Sequence, residues 1–128
     1  MQFGSLILHV RDVAASVGFH ERTLSVERRF PYESGAYTEL ATGATALACA
    51  NETSTPTAHV ISQCRPAASA PAAEVAFVTH DVQADYDRAL AAGARGVVAP
   101  ATKPWGQVAS YVRDLDGFLV ELCSAVQG

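Results

Sequence analysis

Ser5-Leu6-Ile7-Leu8-His9-Val10-Arg11-Asp12-Val13 begins as an alternation and ends on a helix cap, and Glu74-Val75-Ala76-Phe77-Val78-Thr79-His80-Asp81-Val82 does the same again. In the first stretch Leu6, Leu8 and Val10 share one face of a strand and Ser5, Ile7 and His9 the other, as a period of two requires. Asp12 stands where an N-cap belongs, and Val13, Val17, His20 and Leu24 recur behind it at helical spacing. Strands are expected at 27–34, 36–41 and 45–50, punctuated by Gly35 and the Thr42-Gly43 turn. In the second stretch Asp81 is the cap, Val82, Tyr86, Ala89 and Leu90 are the stripe, and Gly93 ends it. Strands follow at 95–99, 107–113 and 118–124, the last two joined by Asp114-Leu115-Asp116-Gly117.

Two copies of strand-helix-strand-strand-strand predict an α+β fold made of two βαβββ repeats with mixed sheets. Repeat one covers 1–50 and repeat two 74–128, within a single domain of 128 residues. The connector, 51–73, turns to Thr, Ser, Pro and Ala, with Pro56, Pro66 and Pro71 interrupting any regular element. The segment His59 to Cys64 inside it is compatible with a turn of helix or a short strand. Each helix covers one sheet face and leaves the other open, and two open faces, paired within one chain or across a dimer, enclose a cleft where function is expected.

Strand parity assigns the lining of that cleft. Ser5, Ile7 and His9 face it from the first strand, and Glu74, Ala76 and Val78 from its counterpart. In the last strand Phe118, Val120 and Leu122 belong to the core, which turns Leu119, Glu121 and Cys123 to the cleft. Glu74 and Glu121 therefore converge, and facing carboxylates among apolar neighbours either raise one pKa or hold a cation. The plainer alternative leaves Glu74 in solvent and pairs Glu121 with an arginine such as Arg113. His9 is either a proton carrier or ligand, or a hydrogen-bonded wall residue. His20 is expected in the core, His59 in solvent, and His80 beside the Asp81 cap. Lys103-Pro104-Trp105-Gly106-Gln107 puts the only Trp at the cleft lip, to stack on a planar ligand or to pack at a dimer contact.

Thirteen acidic against nine basic residues give a net charge of -4, and no basic run exceeds Arg28-Arg29, so a nucleic-acid partner is not expected. Leu6-Ile7-Leu8 falls far short of the roughly 20 apolar residues of a membrane span. A cytoplasmic protein is the expectation. Three cysteines with no CxxC pair argue against a disulfide framework and a cysteine zinc site.

Pro104-Trp105-Gly106-Gln107, followed by Tyr111-Val112-Arg113-Asp114-Leu115-Asp116-Gly117-Phe118-Leu119-Val120-Glu121-Leu122, resembles the terminal hairpin of the vicinal oxygen chelate superfamily, which includes glyoxalase I, bleomycin resistance proteins and extradiol dioxygenases. Val10-Arg11-Asp12-Val13 with Phe19, and Asp81-Val82 with Ala92-Gly93-Ala94, resemble the same family. The likeness is to its small bleomycin-resistance-type members. It implies the glyoxalase/bleomycin resistance fold, and, for metal-dependent members, a divalent ion held by His and Glu from the first and last strands of each repeat. Those positions fall here on Ser5 and Glu74, on Glu121, and near Leu47 or Ala48, so two of the four carry no good ligand. Ser25 stands where a glycine usually ends the first helix.

The resemblance implies a metal-independent homodimer with no cofactor, binding a planar or amphipathic, antibiotic-like small molecule, as in antibiotic resistance proteins. Trp105 stacks, Glu74, Glu121 and His9 make polar contacts, and Ser5, Ile7 and Cys123 complete the wall. The alternative is a lyase, isomerase or cyclase with Glu121 or Glu74 as general base, with or without a divalent metal on Glu74, Glu121 and His9. Binding and catalysis stay open on the sequence, as does the identity of the ligand.

Overall fold

Residues 1–31, 34–54 and 71–126 are described by the computed structural model, and the chain divides into two compact units, Met1–Cys64 and Arg65–Gly128. The first runs β1 (Ser5–Val10), α1 (Val13–Leu24), β2 (Arg28–Pro31), β3 (Tyr37–Leu40) and β4 (Ala46–Asn51). The second runs β5 (Glu74–Val78), α2 (Val82–Ala91), β6 (Arg95–Thr102), β7 (Val108–Arg113) and β8 (Leu119–Cys123). The sheets are ordered β1-β4-β3-β2 and β5-β8-β7-β6, so the two units share one topology. In each, the first strand pairs in parallel with the last and the others are antiparallel. A parallel pair needs a crossover, and the intervening helix supplies it. The βαβββ expectation holds in both units. The connector between 55 and 70, with His59, lies outside the described residues.

Both helices start as their sequences dictate. Asp12 accepts a hydrogen bond from the Ala15 amide and Asp81 one from the Ala84 amide, each at 3.0 Å, satisfying donors the helix leaves free. His80, beside the Asp81 cap as expected, is exposed, and Thr79 Oγ1 accepts from the Asp81 amide. Helix α1 buries Val13, Ser16, Val17, Phe19, His20 and Thr23. His20 is a core histidine, as expected. Its Nδ1 lies 2.7 Å from the Ser16 carbonyl, and because a carbonyl only accepts, this nitrogen carries the proton. Its ring meets Phe19 edge to face at 5.4 Å.

Helix α1 ends at Ser25 with φ 53° and ψ 37°, the left-handed cap conformation that glycine adopts without steric cost. Ser25→Gly is therefore expected to raise stability by about 0.5–1 kcal/mol, the relief of strain outweighing the extra unfolded-state entropy of glycine. Urea denaturation monitored by circular dichroism checks this, and a lowered midpoint would refute it.

Two strand expectations need correction. Leu6 is 37% exposed while Leu8 and Val10 are buried, because α1 packs on β3 and β4 and leaves the start of outermost β1 uncovered. The strand expected at 95–99 continues through Pro100 to Thr102. β6 is the outermost strand of its sheet, and its register against β7 shifts between Gly96 and Val98 and again between Val98 and Ala101. An edge strand with a bulge tolerates a proline. Among the described residues, no helix is long and apolar enough to cross a membrane.

Candidate functional site

The second sheet packs one face against α2, and on its other face Glu74, Ala76 and Val78 are exposed while Ala109, Glu121 and Cys123 are buried. Val112, Val120 and Leu122 are buried on the helix side, with Val75 and Phe77 half-buried beside them. The alternate residues form rows across the face opposite α2. Glu121 pairs with Ala76 on β5 and with Tyr111 on β7, Leu119 pairs with Glu74 and Arg113, and Cys123 with Val78 and Ala109. Glu74 and Glu121 thus share a face as parity required, but they are offset along it rather than opposed. Glu74 is exposed at the rim of a shallow depression of about 310 Å³ lined by Pro71, Ala72, Ala73 and Leu119. Glu121 is only 9% exposed.

Two hairpins built alike set the centre of this face. Between β6 and β7 the Gly106 amide donates to the Lys103 carbonyl at 2.8 Å and the Lys103 amide to the Gln107 carbonyl at 2.7 Å. Between β7 and β8 the Gly117 amide donates to the Asp114 carbonyl at 3.2 Å and the Asp114 amide to the Phe118 carbonyl at 3.0 Å. Both are three-residue loops closed by a glycine at positive φ, 89° at Gly106 and 90° at Gly117. Pro104 pre-sets the first corner of its loop, which holds Trp105 outward, the residue 59% exposed.

Lys103 folds back from this loop over the sheet. Its Nζ donates to Tyr111 Oη at 2.6 Å, stands 3.9 Å from Glu121 Oε1, and lies 5.3 Å from the Trp105 ring centroid and 5.2 Å from that of Tyr111. The bond to Tyr111, opposed by burial and reinforced by the charges of Tyr111, Glu121 and Glu74 in that order, holds the ammonium above its ordinary pKa. The cation beside Glu121 is thus Lys103 and not Arg113, whose guanidinium donates to the Gly117 carbonyl at 3.2 Å. The Trp105 indole N–H donates to Gln107 Oε1 at 2.9 Å, and the Gln107 amide donates to the Ser124 carbonyl at 3.0 Å. Cys123 is buried, its thiol 3.6 Å from the Phe77 carbonyl, and burial followed by the charge of Glu121 pushes its pKa up. A buried thiol of this kind is a poor nucleophile.

The remaining expected site residues belong to the first unit. Ser5 and His9 are half-buried on β1 and Ile7 is 41% exposed. His9 Nδ1 is buried without a hydrogen-bond partner among the described residues. Ile7 lies in one row with Ala48 and Glu39, and His9 in the next with Ala50 and Tyr37, whose hydroxyl donates to Glu39 Oε1 at 3.0 Å. Tyr37, Glu39, Lys103 and Tyr111 were not among the expected site residues. The signal for Tyr111 was present, since counting back from the Asp114–Phe118 loop closure puts it opposite Glu121.

The sequence profile of the Glyoxalase/Bleomycin resistance protein/Dioxygenase superfamily matches residues 2–122. The chain belongs to that superfamily. The fold agrees with solved structures at low identity. A glyoxalase-related enzyme from Fulvimarina pelagi superposes with a TM-score of 0.82 at 18% identity, over 98% of this chain and 88% of that one. TioX from Micromonospora sp. ML1 gives 0.74 at 24% identity, over 97% and 98%. The hypothetical protein SA1046 from S. aureus gives 0.80 at 16%, over 98% and 95%. No curated protein sequence matches.

Glyoxalase-superfamily members that use a metal place its ligands on the first and last strands of each repeat, and the register now assigns those positions. Ile7 pairs with Ala48 as Ala76 pairs with Glu121, so Ala48 is the counterpart of Glu121. Its methyl group offers no ligand atom, Ser5 offers a weak one, and Glu121 already has an ammonium beside it. Among the described residues no three His, Cys, Asp or Glu side chains gather to hold an ion. The residues at these positions do not fit a divalent metal.

Proposed function

We propose that this chain binds a planar or amphipathic small molecule on the open face of the second sheet, without a metal ion, as a homodimer. The observation that carries the reading is Trp105: a large aromatic surface, 59% exposed, whose orientation is fixed by its own hydrogen bond to Gln107 and by a closed hairpin. A rigid exposed indole gives contact area at little entropic cost. Beside it Tyr111, Lys103 and Glu121 supply hydrogen-bonding groups to orient a ligand. Glu74 is exposed and Glu121 sits next to an ammonium, so neither carboxylate is set apart as a general base.

Planar aromatic ligands are expected to quench the fluorescence of Trp105, the only tryptophan, to saturation and without turnover. Trp105→Ala, followed by calorimetry because the fluorophore is gone, is expected to weaken binding about ten-fold, the equivalent of roughly 1.4 kcal/mol of stacking. Affinity unchanged in that variant, abolition of binding by prior chelation, or a monomer in sedimentation at binding concentrations would each contradict part of the reading.

A further inference from the structure

We propose that Trp105, Tyr111 and Glu121 form a receptor for an organic ammonium group, and that the chain's own Lys103 occupies it until a cationic ligand displaces it. The inference rests on the reading that a small molecule binds this face, and it names the chemical class of that molecule. An ammonium within about 6 Å of an indole centroid, close to a carboxylate and donating to a phenol oxygen, is an arrangement by which proteins recognise organic ammonium groups. All of those features surround Lys103 Nζ: the Trp105 ring centroid at 5.3 Å, Tyr111 Oη at 2.6 Å, and Glu121 Oε1 at 3.9 Å. The lysine is thus a tethered copy of the ligand.

The receptor is built independently of its occupant. Trp105 is held by Gln107, the hairpin is closed by its backbone, and Glu121 and Tyr111 are paired in register on adjacent strands. Withdrawal of Lys103 leaves the indole and a carboxylate in place, with Tyr111 Oη free to accept from a ligand N–H or from water. The Lys103 side chain keeps 29% exposure, so it can swing out into solvent. A group on a short tether competes at an effective concentration in the millimolar range, so only ligands that outbid it by additional contacts, such as stacking on Trp105, bind well.

The test is titration of the protein with tetramethylammonium chloride against sodium chloride at equal ionic strength, followed by Trp105 fluorescence. Lys103→Met, which keeps the stem and removes the charge, is expected to bind tetramethylammonium at least about ten-fold more tightly than the parent chain. Lys103→Arg is expected to stay within two-fold of the parent, and adding Glu121→Gln to Lys103→Met to cancel the gain. Affinity unchanged or weaker in a folded Lys103→Met protein overturns the proposal. Should that variant not fold, the Lys103 15Nζ resonance of the parent chain decides. It is expected to shift as tetramethylammonium saturates the fluorescence, and a signal that stays put overturns the proposal. If no planar ligand saturates the protein yet Lys103→Met gains tetramethylammonium, the sequestration reading falls and the receptor stands. The reverse pattern removes the receptor alone.

Discussion

Leu122→Ala is expected to lower the unfolding free energy by about 3–4 kcal/mol, read as a reduced urea midpoint at unchanged slope. Leu122 is 2% exposed, on a strand flanked by β5 and β7, with Phe77 and Ser110 as its register partners. Helix α2 packs on β6, β7 and β8, so the truncated side chain leaves a void beneath the helix that its neighbours cannot close without moving the backbone. Small residues line the same layer, since Ser110 and Ala89 are both buried and offer no long side chain to fill the space. A loss under 1 kcal/mol would mean that α2 does not seat on β8.

Asp114→Ala is expected to cost about 3 kcal/mol and to lower the melting temperature by about 10 °C, measured by calorimetry. The Asp114 carboxylate is buried and accepts from the Asp116 amide at 3.0 Å and the Phe118 amide at 2.9 Å. Alanine leaves two peptide donors in the loop without that acceptor, and a bond to a charged group is worth more than a neutral one. Asp114→Asn retains Oδ1 and is expected to recover most of the loss. The paired variants separate the contribution of the loop from that of the charge. Equal losses in both would assign the effect to charge, and no loss in either would remove the carboxylate from the account of the loop.

The elements that identified the fold were local. Asp12 and Asp81 each follow an alternating run and precede a stripe of period 3.6, and a single residue type at each junction suffices to mark strand ending and helix beginning. Failures arose where tertiary placement outranked local pattern. Leu6 alternates correctly with Leu8 and Val10, but pattern does not reveal how far a helix reaches along a strand. Pro100 reads as a terminator unless the strand is known to be an edge.

The site was legible in part for the same reason. Parity placed Glu121 and Cys123 on the face opposite α2, and the composition of the 103–107 turn placed Trp105 outside. Lys103 escaped because its role depends on where a long flexible stem turns, and no periodicity fixes that. The asymmetry between the units was half visible: Glu121 was assigned, while its counterpart was narrowed to Leu47 or Ala48, and only the β1–β4 register settles on Ala48.

Strand β6 has a consequence for solubility. An outermost strand exposing Val97 and Val98 would ordinarily offer its unpaired amides and carbonyls to a strand of another chain, the first step of fibrillar stacking. Pro100 contributes no amide, and the two register shifts twist the strand where a flat one would be required. An incoming strand therefore meets an interrupted ladder. The irregularities that hid the true length of β6 thus disfavour pairing of its edge with copies of itself.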